Sequence, residues 1–383
     1  MNISFDVLPL ISENMSGIGY CQAGLVGEMI KSHPEDRYTF DYFSRKDHEV
    51  KRNRLAAYMS ESCSLNESHF SGFLYRSIMN IIPVPYSLFF GKKAEVTHFF
   101  NYIVPPFVHG KKIVTIHDMV IRAYPETVRF RTKQLLLTGM KKSMKRADVI
   151  VTDSEFSKSE IIKYYPQFAD KIQVVYCGVN TEKFYKIDDS SIVEKTKKSL
   201  GIEGEYFLYL GTIEPRKNLE RLIEAYGILR NTHGENVPRL VMAGGKGWLN
   251  SGIYSRVQEL GLEESVIFTR YIPDEDICPL MNGACAFVFP SIYEGFGMPP
   301  LEAMACGVPV VSSGEASLPE VVGDCAVIVD AYSPESIADG MYRIYSDREL
   351  ASDLARRGME RAASFTWNRF SEKLHDIYKA VLR

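Results

Sequence analysis

Two glutamates, Glu294 and Glu302, stand eight residues apart in the stretch PSIYEGFGMPPLEAMACG, residues 290–307. An apolar run, Ala286–Phe289, leads into it and reads as a buried strand. Gly295 and Gly297 make a turn, and Pro299 and Pro300 fit the first turn of a helix, where a missing N–H is tolerated. Gly307 suits the C-terminal end of that helix. A helix start of this kind offers unpaired N–H groups and a positive dipole end to an anion, typically phosphate. Carboxylates on either side accept hydrogen bonds from hydroxyls. Phosphate beside several hydroxyls describes a nucleotide sugar.

A second stretch, YFLYLGTIEPRKNLERLIEAY (residues 206–226), supplies cations. An apolar strand gives way at Gly211, and Asn218 is a candidate N-cap for a helix over Leu219–Leu229. Arg216 and Lys217 therefore stand at a helix N-terminus, where a planar guanidinium and a point-charge ammonium suit a diphosphate. In MAGGKGW, Gly244 and Gly245 permit close backbone approach and Lys246 can reach phosphate or ribose. Tyr271 and Ile272 follow the next predicted strand, where a base pocket would lie. Asp274-Glu275-Asp276 mimics an acidic metal motif, but Asp274 after Pro273 reads as an N-cap with acids in the first turn. No metal is expected, so a leaving diphosphate must be neutralised by Arg216, Lys217 and helix dipoles. In the first half, Gly17 and Gly19 open a helical pattern and leave space for a ligand, or simply make a tight turn. His117 follows the apolar run Ile113–Ile116, at the strand edge that lines ligand crevices in open α/β sheets, and can donate to a substrate hydroxyl. His98 is a second candidate of the same kind.

The elements that must position these groups alternate along the chain. Strands are predicted near Ile3–Leu8, Thr39–Phe43, Val96–Phe99, Ile113–Ile116, Val149–Thr152 and Ile172–Tyr176. A second series falls near Tyr206–Leu210, Leu240–Ala243, Val266–Thr269, Ala286–Phe289, Val308–Ser312 and Ala326–Val329. Their continuous apolarity implies strands covered on both faces, and the helical patterns between them imply βαβ units. At 383 residues two doubly wound domains are expected, with the polar run Asn180–Ser191 as linker. A last helix from the N-cap Thr366 carries one apolar stripe through Trp367, Phe370, Leu374, Ile377, Tyr378 and Val381.

Composition narrows the class. Hydrophobic content of 45% and charge of 24% are globular values, and a net charge of −3 argues against nucleic acid as a partner. Residues 1–150 hold 20 Lys/Arg against 14 Asp/Glu, the remainder 25 against 34. Seven cysteines without a CxxC point to buried reduced thiols and a cytoplasmic setting. No signal peptide and no spanning helix are expected. Phe70–Phe90 is rich in aromatic and aliphatic residues, and Arg129, Arg131, Lys133, Lys141, Lys142, Lys145 and Arg146 form an acid-free tract. Two readings fit them: contact with an anionic membrane leaflet, or core packing beside a solvated basic face.

The motifs LGTIEPRKNL, PSIYEGFGMPPLEAMACGVPVV and SGIGY, with VTIHD and TDSEFSK in support, make the chain resemble retaining glycosyltransferases of family 4 with the GT-B fold. Among these it looks most like bacterial O-antigen mannosyltransferases, which use GDP-mannose and act on undecaprenyl-diphosphate-linked glycans. The resemblance implies an N-terminal acceptor domain (1–180), a C-terminal nucleotide-sugar domain (181–365), and a final helix (366–383) crossing back onto the first. It implies domains that close over the donor in the cleft they face. Glu294 and Glu302 match the EX7E motif, facing the donor hexose and ribose respectively, with Gly295, Phe296 and Gly297 in the same donor loop. Arg216 and Lys217 match the diphosphate-binding pair, Gly17 and Gly19 the N-terminal glycine loop, and His117 a sugar-contacting residue. The glycine loop departs from the family's commoner Arg-Tyr ending, reading Tyr20-Cys21. The expected reaction is metal-independent hexosyl transfer with retention, at the inner face of the cytoplasmic membrane. A UDP- or dTDP-sugar transferase, a nucleotide-sugar epimerase and a non-catalytic binding protein are the alternatives; the last would be expected to lack some of Arg216, Lys217, Glu294 and Glu302, all of which are present.

Overall fold

The apolar runs become strands because each is buried on both faces, as VTHF and AFVF illustrate with four fully covered residues apiece. The computed structural model describes residues 1–13, 15–79, 82–245, 251–270 and 272–383. The chain divides into two units, residues 1–178 with 366–383, and residues 179–365.

The first unit holds a parallel sheet of β1 (Asn2–Asp6), β2 (Arg37–Phe43), β3 (Cys63–Ser68), β4 (Val96–Phe99), β5 (Lys111–Thr115), β6 (Val149–Thr152) and β7 (Ile172–Val174). Their order is β3-β2-β1-β4-β5-β6-β7. The second unit holds β8 (Tyr206–Leu210), β9 (Arg239–Ala243), β10 (Val266–Arg270), β11 (Ala286–Phe289), β12 (Val310–Ser313) and β13 (Ala326–Val329), in the order β10-β9-β8-β11-β12-β13. Each sheet is doubly wound. The winding reverses between β1 and β4 in one and between β8 and β11 in the other, and such reversals open a crevice at the carboxyl edge.

Strand β3 has no counterpart among the predicted strands. Its sequence, CSLNES, lies on a sheet edge and is largely half-exposed, so it carries no apolar signal. The polar run after residue 179 is already helical from Ser190, capped by Asp189. Strand β12 starts at Val310 rather than Val308, and the helix after Asn218 extends to His233.

The Trp367–Leu382 helix belongs to the first unit, where it packs on the Gly17–Ser32 helix. The Thr366 hydroxyl accepts from the Arg369 N–H as its cap. A Cβ on Gly24 would lie 2.2 Å from the Trp367 ring, so only glycine lets the indole sit there. His98 is also part of this packing. It is fully buried, with Nδ1 2.6 Å from the Tyr378 hydroxyl and Nε2 2.8 Å from Thr115 Oγ1. That corrects its reading as a ligand residue: both nitrogens are spent joining the sheet to the last helix. Among the described residues, no helix is long and apolar enough to cross a membrane.

Candidate active site

Strands β8 and β11 are neighbours at the reversal of the second sheet, and the loops leaving their carboxyl ends carry Arg216, Lys217 and Glu294. Pro215–Lys217 forms one 3-10 turn, and Asn218 follows in the left-handed region, φ 62°. Asn218 precedes the helix as expected but does not cap it. Its amide donates instead to the carbonyls of Pro290 and Ala331, 3.1 and 2.6 Å away, tying this turn to the β11 loop. The Arg216 carbonyl accepts from the Ile292 N–H and the Ser291 hydroxyl, each at 3.0 Å. Ser317 donates to the carbonyls of Glu294 and Phe296. Hydrogen bonds to backbone groups therefore fix the two loops against each other.

Their side chains converge. Glu294 Oε1 accepts from Lys217 Nζ at 2.6 Å and Ser291 Oγ at 2.7 Å, and Oε2 accepts from Arg216 Nη1 at 2.8 Å. Arg216 Nε donates to Glu214 at 2.5 Å. Glu214, Lys217 and Glu294 are buried, and Arg216 is 24% exposed. Burial alone would raise the Glu294 carboxyl; the Arg216 and Lys217 charges and the hydrogen bonds overcome it and hold the group down to about 2. Burial lowers the Lys217 ammonium, helped by Arg216 and opposed by the two glutamates. The carboxylate is thus ionised and fully oriented. Oε1 accepts two of these hydrogen bonds and Oε2 one.

Gly295, Phe296 and Gly297 are buried between this cluster and the Met298–Ala305 helix. Gly297 has φ 118°, and a Cβ there would meet Leu318 at 2.7 Å. Pro299 and Pro300 occupy that helix's first turn, as expected. Glu302 lies inside the helix, half-buried, and no side chain among the described residues hydrogen-bonds it. Burial pushes its carboxyl up to about 7, with Lys183 opposing and Asp274 adding to the effect. Asp274, Glu275 and Asp276 occupy the first turn of the Asp274–Asn282 helix as expected, but Pro273 rather than Asp274 holds the N-cap position; Asp274 pairs with Lys183 at 2.8 Å, and Asp276 accepts from Thr196. Gly245 is exposed at the end of β9 with open space where a Cβ would be, and Ile272 is buried. Lys246 and Tyr271 lie outside the described residues.

In the first unit, Gly17 opens the Gly17–Ser32 helix, exposed and with open space where a Cβ would be. A Cβ on Gly19 would fall 2.3 Å from the Met15 side chain and 3.1 Å from the Pro9 carbonyl oxygen, so the turn is closely packed there. His117 follows β5 as predicted, but it does not offer a donor to substrate. Nδ1 is 2.6 Å from Asp153 Oδ2 and Nε2 is 2.7 Å from the Phe100 carbonyl. Two acceptors require both nitrogens protonated. Burial opposes that charge, but Asp153 overrides it and raises the imidazole to about 9. His117 is therefore a fixed cation in this structure, correcting its expected role. Asp153 and Glu214 were not singled out from the sequence. Each lies in a quoted motif, TDSEFSK and LGTIEPRKNL, and each follows a strand. Cys21 and Cys177 sit nearby as buried free thiols, 3.1 Å apart.

Comparisons with known proteins identify the family and the fold. Residues 192–361 match the family model "Glycosyl transferases group 1", and residues 81–183 match "Glycosyltransferase Family 4". The chain is 34% identical over 294 residues to the O-antigen chain mannosyltransferase B of Escherichia coli, covering 76% of this chain and 75% of that one. It is 33% identical over 224 residues to the serotype-specific mannosyltransferase WbdA of Escherichia coli, covering 58% of this chain and 27% of that longer protein. Among solved structures, WaaG, a glycosyltransferase involved in lipopolysaccharide biosynthesis, superposes with a TM-score of 0.70 at 16% identity, over 98% of this chain and 99% of that one.

Proposed function

The chain belongs to glycosyltransferase family 4, and from that premise we propose that it moves mannose from GDP-mannose onto a lipid-linked glycan in O-antigen synthesis, with retention and without a catalytic metal. The observation that carries this reading is the Arg216–Lys217–Glu294 cluster at the reversal of the second sheet, the place where open α/β folds hold nucleotides. The mannose and O-antigen assignments rest on the two mannosyltransferase relatives.

The chemistry follows from charge. A departing nucleoside diphosphate accumulates negative charge as the glycosidic bond breaks. Arg216 and Lys217, already oriented by Glu214 and Glu294, need little reorganisation to meet it, which is the basis of electrostatic catalysis. The oriented Glu294 carboxylate accepts from a hexose hydroxyl. Glu302, at about 7, accepts from the ribose once ionised. The first unit binds the acceptor. Its exposed Phe73, Leu88, Phe107 and Phe130, with the basic 129–146 tract, contact the inner leaflet that carries the lipid. Transfer of radiolabelled mannose from GDP-mannose to an undecaprenyl-diphosphate-linked glycan tests the proposal, with UDP- and dTDP-sugars alongside. Labelled lipid product from GDP-mannose is expected. Product from only the other donors, or donor consumption without an acceptor, would overturn it.

A further inference from the structure

His33 closes the Gly17–Ser32 helix, and Glu372 and His375 lie one turn apart on the Trp367–Leu382 helix. One ligand atom from each of the three lies within 4.8 Å of the other two. His33 Nε2 is 3.0 Å from Glu372 Oε1, and the two imidazoles stack at 3.5 Å with 12° between their planes. His375 Nε2 is 2.7 Å from Asp36 Oδ2 and His33 Nδ1 is 3.3 Å from Glu35 Oε1, while His33 Nε2 faces the second carboxylate, Glu372. The other nitrogens, His375 Nδ1 and His33 Nε2, are buried without an aligned hydrogen-bond partner, and His375 is 1% exposed.

A carboxylate that accepts from one imidazole nitrogen leaves the lone pair on the other, which is how metal-binding histidines are oriented. A buried lone pair with nothing donating to it is costly unless something electrophilic fills the gap. His375 Nδ1 is such a nitrogen; with His33 Nε2, which gives up its proton on binding, and a Glu372 carboxylate oxygen it makes a borderline donor set, suited to zinc. Bonds of about 2.1 Å to a tetrahedral ion place ligands roughly 3.4 Å apart, which small side-chain rotations reach from the present spacing. We propose that His33, Glu372 and His375 bind a zinc-class divalent cation that fastens the last helix to the end of the Gly17–Ser32 helix. Asp36 and Glu35 supply the outer carboxylates, and Asp36 is itself held by the N-terminal amine. Glu372 is 42% exposed, so the ion enters from solvent. The ion is structural and takes no part in transfer.

The test uses the full-length, untagged chain after chelator treatment. Equilibrium dialysis against zinc should load one ion per chain, and zinc should raise Tm by roughly 3 °C or more. Cobalt should give the visible absorption of a tetrahedral nitrogen–oxygen site. In the His33→Gln/Glu372→Gln double variant, affinity should fall at least tenfold and the Tm rise should vanish. Both positions are near the surface, and the metal-free melting curve of the variant checks that it folds. Absence of binding by the parent chain overturns the proposal. So does equal binding by the double variant, which would move the ion to another group such as the Cys21–Asp153–Cys177 cluster.

Discussion

Glu294 and Glu302 are the same side chain in opposite electrostatic states. Glu294 is held ionised by two cations, while Glu302 has burial working against its charge. Because its folded value lies above the unfolded one, Glu302 favours the folded state below about pH 4.5, and that contribution is lost as pH rises through about 7. Over the same rise it becomes a carboxylate able to accept from ribose hydroxyls. The KM for donor is therefore expected to fall several-fold from about pH 6 to about pH 8, and Glu302→Gln should flatten that profile in steady-state assays. Arg216 needs a different substitution. Removing it entirely would leave buried Glu214 without its partner and destabilise the fold by about 3–5 kcal/mol. Arg216→Lys keeps a charge between the glutamates but loses the planar fork. Turnover should drop roughly 10- to 100-fold, about 1.4–2.7 kcal/mol in the barrier, with Tm near that of the parent. Unchanged turnover would detach Arg216 from the diphosphate.

At the scale of elements, the last helix is the informative one. Its hydrophobic stripe was visible, but the polar groups that secure it were not. Tyr378 and His98 are 280 positions apart in sequence and meet in the core. Burial holds His98 well below its usual value, so it sits there neutral. Tyr378→Phe removes the hydroxyl and leaves His98 Nδ1 unsatisfied, at a cost of about 1–3 kcal/mol. Chemical denaturation should register that loss, while turnover below the melting range stays within about twofold. A large fall in turnover with unchanged stability would restore His98 as a ligand residue. The 3-10 turn over 215–217 carries a similar lesson: Asn218 has the residue type of a cap but serves as a brace between strand loops.

At the scale of the whole molecule, charge and apolar exposure point the same way. The excess of Lys and Arg lies in residues 1–150, as do Phe73 at 78%, Leu88 at 72%, Phe107 at 65% and Phe130 at 70% exposure. The sequence left core packing and membrane contact as alternatives for this tract, and the structure divides it between buried and outward-facing residues. Tyr75, Met79 and Tyr86 are buried, with Phe89 and Phe90 packed against that core, while Phe73, Leu74, Ile82 and Leu88 are exposed. Phe107 has φ 52° as well, an uncommon conformation for an exposed aromatic residue. Flotation with vesicles containing anionic lipid should carry the protein upward, and added salt should release it. Binding that ignores both lipid charge and salt would remove the basic tract from the interaction.

Period and composition determined much of this protein unaided. Continuous apolar runs gave twelve strands to look for, and all twelve are present with small shifts at their ends. Glycine, proline and paired charges marked the loops after β8 and β11, because those residue types answer local backbone and phosphate chemistry. Edge strand β3 escaped, since a strand half open to solvent needs no apolar pattern. Only the tertiary structure decided which partner each polar side chain takes. His117 met Asp153, Arg216 met Glu214, and His33 met His375, each across a break in sequence or a turn that carries no periodic signal. Protonation and hydrogen bonding depend on those partners and on the water excluded around them, and neither is a property of the residue alone.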